Sequence, residues 1–152
     1  MLKLSKKTDY GLIAMQHIAT VKPSRAVNTK EIAHQYNIPV ELLAKVLQCL
    51  AKNGLIMSQN GPKGGYVSRE EVTIADVISA IEGPIRITEC MHEPNEPCQQ
   101  LETCNIRSPL QFIQTSFVRL LESMTIEDMA AQNALISIAS ATPNLMTEGA
   151  TK

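Results

Sequence analysis

The chain has 152 residues, of which 44% are apolar and 19% charged, and this composition is typical of a globular protein. A chain of this length can bury a hydrophobic core without disulfide bonds. It contains no Trp, two Phe and three Tyr, which argues against nucleic-acid binding by stacked aromatic rings. No apolar run is long enough to cross a membrane, and the N-terminus lacks the apolar stretch of a signal peptide. We therefore expect a cytoplasmic protein.

The net charge of −1 conceals a segregation of charge along the chain. Residues 1–70 contain ten Lys/Arg and four Asp/Glu, a balance of +6, whereas residues 71–152 contain four and eleven, a balance of −7. A basic half is a candidate for binding nucleic acid. Chance segregation of surface charge explains the asymmetry equally well, so the motifs must decide between the two.

The first 70 residues predict three helices followed by a hairpin. Apolar spacing and helix-ending residues place the helices at residues 4–21, 29–36 and 39–53. Asn28 with Glu31 resembles a capping box for the second helix, although Thr29 is an alternative cap. Gly54 is a suitable stop for the third.

Two short β-compatible stretches, residues 55–58 and 66–68, enclose a turn rich in Gly. A helix-turn-helix followed by a hairpin is the layout of a winged-helix DNA-binding domain. We therefore predict a mainly α fold with a small β-hairpin wing.

The second half predicts three further helices around a loop. The first begins at Thr73, capped with Asp76, and ends before Gly83. A longer helix runs from Ser108 to about residue 122, and a last one from Thr125 to about Ala139. The apolar residues of the longer helix have near-heptad spacing, which suits either pairing with a second copy or packing on its own core.

These elements divide the chain into four predicted parts. Residues 1–70 form a winged helix-turn-helix, residues 71–107 a linking helix and a cysteine-bearing loop, residues 108–140 the dimerisation helices, and residues 141–152 a flexible tail.

The third helix is expected to enter the major groove with its N-terminal residues facing base edges. Its outward candidates are Glu41, Ala44, Lys45 and Gln48: Lys45 suits a phosphate or a guanine, and Glu41 suits a cytosine amino group. The other predicted DNA contacts are Lys3, Lys6, Lys7, Thr29, Asn60, Lys63 and Tyr66. On pattern alone, each of these is also an ordinary surface or structural residue.

Cys90, Cys98 and Cys104 follow a Cys-x7-Cys-x5-Cys spacing in the predicted loop. Disulfides are rare in the cytoplasm, whereas three thiolates can hold a metal or an iron–sulfur cluster. Zinc prefers closer Cys pairs, so the wide spacing favours a larger cluster. The alternative is that the thiols bind no metal and either sense redox changes or have no function.

Three cysteines leave a cluster one ligand short, and Asp9, Glu89 and His92 are candidates for the fourth position. Cys49 lies among core positions of the third helix and is interpreted as an apolar filler. His17 and His34 are interpreted as structural or surface residues.

Taken in order, the motifs resemble the IscR and NsrR type of iron–sulfur transcription regulators, which are dimeric winged-helix proteins of bacteria. The resemblance covers about residues 1–130. It is carried by LSKKTDYG at 4–11, LAKNGL at 50–55, GPKGGY at 61–66, DVISAIEGP at 76–84, Thr88-Glu89-Cys90, Cys98, Cys104 and TIEDM at 125–129. The run from Asp76 onward looks like the branch that regulates the SUF iron–sulfur assembly system.

The resemblance implies that Cys90, Cys98 and Cys104 ligate a cluster in the dimer. In the IscR type a His three residues after the last Cys completes the set, but Arg107 stands there. In the NsrR type the ligand is an Asp in the first helix of the partner subunit, and Asp9 matches it. Nuclearity stays open, with 2Fe–2S ahead of 4Fe–4S. Some members discriminate DNA motifs through a recognition-helix Glu, which Ala44 replaces.

We therefore expect a homodimeric regulator whose affinity for a pseudo-palindromic DNA site depends on its cluster, with repression of iron–sulfur assembly genes favoured over activation. One alternative keeps DNA binding but uses a thiol switch or a small-molecule effector. Another is an iron–sulfur carrier that does not bind DNA. An enzyme is not expected, because the Gly-rich turn lacks the strand-loop-helix context of a phosphate loop. The sequence also shows no Ser/His/Asp ordering of a catalytic triad.

Overall fold

The computed structural model describes residues 3–21, 25–87, 99–100 and 102–131. This part of the chain forms six helices and one two-stranded sheet, which confirms the predicted fold class. In chain order they are α1 (Lys6–Thr20), α2 (Thr29–Gln35), α3 (Val40–Lys52), β1 (Ile56–Gln59), β2 (Gly65–Ser68), α4 (Ile74–Glu82), α5 (Arg107–Glu122) and α6 (Ile126–Ala130). Within the described residues, no helix has the length and hydropathy needed to cross a membrane.

Local capping accounts for most of the helix ends. Asn28, rather than Thr29, caps α2, because its side chain accepts a hydrogen bond from the Glu31 amide at 2.9 Å. The predicted capping pairs of α4 and α6 are both complete capping boxes. Gly54 follows α3 with a φ of +75°, a conformation that glycine adopts without strain.

The last helix is shorter than the sequence predicts. The expected helix from Thr125 to about Ala139 is wrong in its extent, because α6 ends at Ala130 and Ala131 has an extended backbone (φ −73°, ψ 112°). Gln16 of α1 donates a hydrogen bond to the Met129 carbonyl at 2.9 Å, which is an acceptor that a longer helix would use itself. The remainder of this prediction, residues 132–139, lies outside the described residues.

The core surrounds α1, which contacts α3, α4, α6 and β2. Its largest fully buried side chains include Met15, Leu43, Leu47, Leu50 and Ile126. Helix α1 approaches α4 closely at Gly11, where a Cβ would collide with the Ile81 side chain. A glycine at this position of the helix therefore serves close packing.

The hairpin is an antiparallel pair in which Ile56 is opposite Ser68 and Gln59 is opposite Gly65. Its second strand also binds the segment before α2, since Val27 and Tyr66 exchange two backbone hydrogen bonds of 2.9 and 2.8 Å. Gly65 has no room for a Cβ against the Val27 carbonyl. The Gly-rich turn therefore allows the wing to lie against the main chain that leads into α2.

Helix α5 packs on α4 but has no fully buried residue. Phe117 and Leu121 line a cavity of about 340 Å³ together with Ile74 and Ile78 of α4. In contrast, Ile106, Phe112 and Ile113 are large apolar residues that stay about half exposed. Some apolar residues of the near-heptad pattern therefore pack within the chain, and others form a second, exposed apolar surface.

A carboxylate of α4 caps the start of α1. Glu82 accepts hydrogen bonds from the Ser5 amide at 2.8 Å and from the hydroxyl of the buried Thr8. The Thr8 hydroxyl, and then the Ser5 amide, hold the pKa of Glu82 below its ordinary value of 4.5. The negative charge also lies at the positive end of the α1 dipole.

We predict that Glu82→Gln lowers the free energy of unfolding at neutral pH by about 1 kcal/mol or less, because solvent screens this exposed carboxylate. A lowered folded-state pKa stabilises the fold above pH 4.5, and the contribution disappears as the pH falls through the folded-state pKa. Urea unfolding of wild type and variant at several pH values measures the difference. Glu122→Gln, at the end of α5, is the matched control for the loss of one exposed carboxylate.

Candidate nucleic-acid interface

Helix α3 presents one exposed polar row. Glu41, Lys45 and Gln48 are exposed and lie on one face because they are four and three residues apart. The opposite face, which includes Leu43 and Leu47, is fully buried in the core. Ala44 is half-buried beside this row.

A polar cleft of about 600 Å³ separates the start of α2 from the hairpin turn. Arg25, Asn28 and Glu31 line one side, and Gln59 and Lys63 line the other. Asn60 and Lys63 are exposed in the turn. The cleft therefore brings a basic hairpin tip close to the N-terminal end of α2.

Arg25 is a candidate that sequence reasoning missed. Its Nη2 donates hydrogen bonds of 2.9 Å to both oxygens of the Glu31 carboxylate, and its side chain remains 60% exposed. Charge-assisted hydrogen bonds of this kind are stronger than neutral ones. The signal in the sequence was a pair of opposite charges on either side of the capping residue Asn28.

His17 connects this region to the core. It is buried, its Nδ1 lies 3.2 Å from the Tyr36 hydroxyl, and its Nε2 lies 3.7 Å from the Glu31 carboxylate. This agrees with a structural role, whereas His34 is exposed on α2. The contacts link α1 to both ends of α2.

The other predicted DNA contacts are distributed more widely. Thr29 is the first residue of α2 and is half-buried, and the half-buried Tyr66 packs against the hydrophobic core. Lys3 lines the cavity between α4 and α5. Lys6 lies 3.7 Å from Asp9, and Lys7 is exposed on α1.

Two of the predicted metal ligands can be placed. Asp9 is on α1 with its side chain 42% exposed, and Cys104 has a free, half-buried thiol three residues before α5. The described residues contain no group of three or more His, Cys, Asp or Glu that could hold a metal ion. Cys90 and Cys98, like Glu89 and His92, lie outside them.

The position of Cys49 agrees with its interpretation as an apolar filler. The Cys49 thiol is half-buried between α3 and α4 and donates to the Ala80 carbonyl at 3.2 Å. This contact agrees with a packing role. Arg107 is the exposed first residue of α5.

Comparison with known proteins identifies the family. Residues 4–132 match the Rrf2 family, which is described as "Iron-dependent Transcriptional regulator". The chain is 29% identical over 131 residues to the HTH-type transcriptional regulator NsrR of Halalkalibacterium halodurans, an alignment that covers 84% of this chain and 90% of that protein. Such relatives are named as regulators of transcription, which confirms that the chain is not an enzyme.

Solved structures agree with this result. The fold matches CymR, "the Global Cysteine Regulator of B. subtilis", with a TM-score of 0.72 and 30% identity, covering 86% of this chain and 98% of that one. It matches T. potens IscR with a TM-score of 0.65 and 26% identity, covering 97% and 94%. With a family match over most of its length and the same winged-helix architecture, the chain belongs to the Rrf2 family of DNA-binding transcriptional regulators.

Proposed function

We propose that this protein is a homodimeric, cytoplasmic regulator that binds DNA through α3 and the hairpin and senses iron–sulfur cluster status. The observation that carries the DNA-binding half of the proposal is the exposed row of Glu41, Lys45 and Gln48 on a helix whose other face is buried. This row belongs to residues 1–70, the half of the chain with a charge balance of +6. Basic character is what a phosphate backbone requires.

In the proposed complex, α3 lies in the major groove and the hairpin reaches the adjacent backbone or minor groove. Lys45 contacts a phosphate or a guanine edge, and Glu41 accepts from a cytosine amino group. Asn60 and Lys63 contact the DNA beside the groove, and Arg25 adds a contact from the cleft that it lines together with Lys63. Lys3, Lys6, Thr29, Gln48 and Tyr66 remain proposed contacts.

Replacing Lys45 or Lys63 by Ala is predicted to weaken DNA binding and to reduce the salt dependence. Each lost phosphate contact lowers the slope of log K against log salt by about 1. Anisotropy titrations at several salt concentrations measure the slope. Arg119→Gln on α5 removes one positive charge from the acidic half and serves as the control. An equal loss of slope in this control would contradict the assignment to α3 and the hairpin.

For the cluster, we propose Cys90, Cys98 and Cys104 as ligands, with Asp9 of the partner subunit as the fourth and 2Fe–2S ahead of 4Fe–4S as the type. The described ligands suit this chemistry, because Cys104 has a free thiol and the Asp9 carboxylate is partly exposed. When bound, a cluster supplies iron–thiolate bonds that respond to oxygen, nitric oxide or iron supply. Cys104 adjoins α5 and Asp9 lies on α1, so both ligands lie on or next to helices that pack within the fold.

Coupling to DNA follows from the position of α1. Thr8, the neighbour of Asp9, is buried against Glu82 of α4, and α1 also packs on α3. A shift of α1 therefore changes the support of the recognition helix. Such coupling is typically worth a factor of about 5 to 150 in affinity. We propose iron–sulfur assembly genes, including the SUF system, as targets, with repression as the favoured sign.

Protein purified under nitrogen is expected to contain iron and sulfide and to absorb visible light. Cys104→Ala and Asp9→Ala should lower the iron content and change DNA affinity at least about fivefold, whereas Cys49→Ala should retain the wild-type iron content. Iron and sulfide analysis with DNA titration makes the comparison. If the wild-type protein is colourless and still binds DNA with full affinity, cluster sensing is contradicted. The DNA-binding part of the proposal would still stand.

That outcome would favour a regulator that uses a thiol switch or a small-molecule effector. The similarity to CymR supports this second candidate, since CymR is named as a global cysteine regulator and an oxidised form of the Staphylococcus aureus protein has been solved. An iron–sulfur carrier without DNA binding is disfavoured by the family and by the exposed row of α3.

We propose α5 as the dimer helix because Phe112 is 58% and Ile113 49% exposed. Two large exposed apolar side chains at consecutive positions of a long surface helix suit burial against a second copy. The proposed dimerisation part, residues 108–140, contains this helix.

Phe112→Asp with Ile113→Asp is predicted to convert the dimer to single chains of 16.7 kDa, because buried unpaired carboxylates oppose association. Light scattering after size exclusion measures the mass. Gln111→Asp, at an exposed polar position of the same helix that is not three or four residues from Phe112 or Ile113, is the control and should leave the dimer unchanged. A monomeric wild type, or a variant of unchanged mass, would contradict the proposal.

A further inference from the structure

The recognition helix begins with an exposed apolar residue. Val40 is the first residue of α3 and is 45% exposed, whereas Leu43, Leu47 and Leu50 of the same helix are completely buried. An exposed valine adds little to folding, and its β-branched side chain is a weaker helix former than alanine. Its side chain is therefore available for a contact outside the chain.

Val40 and Ala44 are four residues apart, so they lie one turn apart on the same flank of α3. This flank adjoins the exposed row of Glu41, Lys45 and Gln48. Val40 thus extends the polar row with a small apolar edge at the N-terminal end of the helix. Residues at this end of a recognition helix are those that contact base edges.

The major groove offers one apolar group on its base edges, the 5-methyl of thymine. A short, branched, exposed side chain such as valine can contact this methyl without burying a polar group. Exposed Glu and Lys side chains beside it supply the polar contacts with neighbouring bases. The chemistry of α3 therefore matches a site in which thymine lies next to bases that donate and accept hydrogen bonds.

We infer that Val40, together with Ala44, is a specificity-determining contact that recognises thymine methyl groups in each half-site. This inference rests on the proposed function, since it requires α3 in the major groove. It assigns Val40 to base recognition and adds an apolar contact to the polar contacts proposed for Glu41 and Lys45.

The test uses the full chain, purified under nitrogen, and a randomised DNA duplex library. Enriched sequences are expected to contain a fixed thymine in each half-site. This thymine is then replaced by uracil, which differs only by lacking the methyl group. Wild-type affinity is expected to fall about fourfold for each methyl that contacts Val40, the effect of losing burial of one methyl-sized group.

Val40→Ala should lose less affinity than wild type when thymine is replaced by uracil, because the two γ-methyls of Val40 are gone while its Cβ and Ala44 remain. Its thermal unfolding should match wild type, since the replaced side chain is exposed. Met57→Ala truncates another exposed apolar residue, on β1, and should retain the wild-type preference for thymine.

The outcomes separate the two proposals. A defined sequence whose affinity is insensitive to uracil would overturn the role of Val40 while leaving DNA binding in place. The same uracil sensitivity in Val40→Ala as in wild type would overturn it as well. A library from which no sequence is enriched would count against both the role of Val40 and the proposed sequence-specific DNA binding.

Discussion

Helix α1 packs against α4 at Gly11, and this contact joins the two halves of the chain. A Cβ at Gly11 would collide with the end of the Ile81 side chain, so the glycine makes room for Ile81 between the two helices. At the end of α4, Glu82 binds the amide of Ser5 and the hydroxyl of Thr8 at the start of α1. Because α1 also contacts α3, β2 and α6, it connects α3 and the hairpin to the second half of the chain.

The same arrangement explains how opposite charges are accommodated in one small protein. The basic half supplies α1, α2, α3 and the hairpin, whereas α4, α5 and α6 belong to the acidic half. Their interface is largely apolar, with Val46 and Val77 both near Gly11. The near-neutral net charge is therefore an average over two halves of opposite charge, and it is compatible with a DNA-binding face.

Polar contacts of the first half converge on Glu31. This residue binds Arg25 in the cleft and faces His17 in the core, and its amide is held by the capping side chain of Asn28. The start of α2 is thereby connected to α1, while Val27 before it is hydrogen-bonded to Tyr66 of the hairpin. In the proposed regulator, a change in cluster ligation at Asp9 on α1 would therefore reach the DNA-facing surface through these contacts.

Local sequence determined the fold class, most helix ends and the exposed row of α3, because capping, glycine stops and helical periodicity depend on neighbours in the chain. Charge segregation indicated a nucleic-acid partner, and the ordered motifs indicated the family. Tertiary structure decided the features that depend on contacts between distant parts of the sequence. Gln16 takes a terminal carbonyl of α6 and the helix ends there, Tyr66 packs on the core, and Arg25 pairs with Glu31 across the start of α2. The apolar residues of α5 divide between α4 and an exposed surface, because packing depends on which helix lies opposite and not on spacing alone.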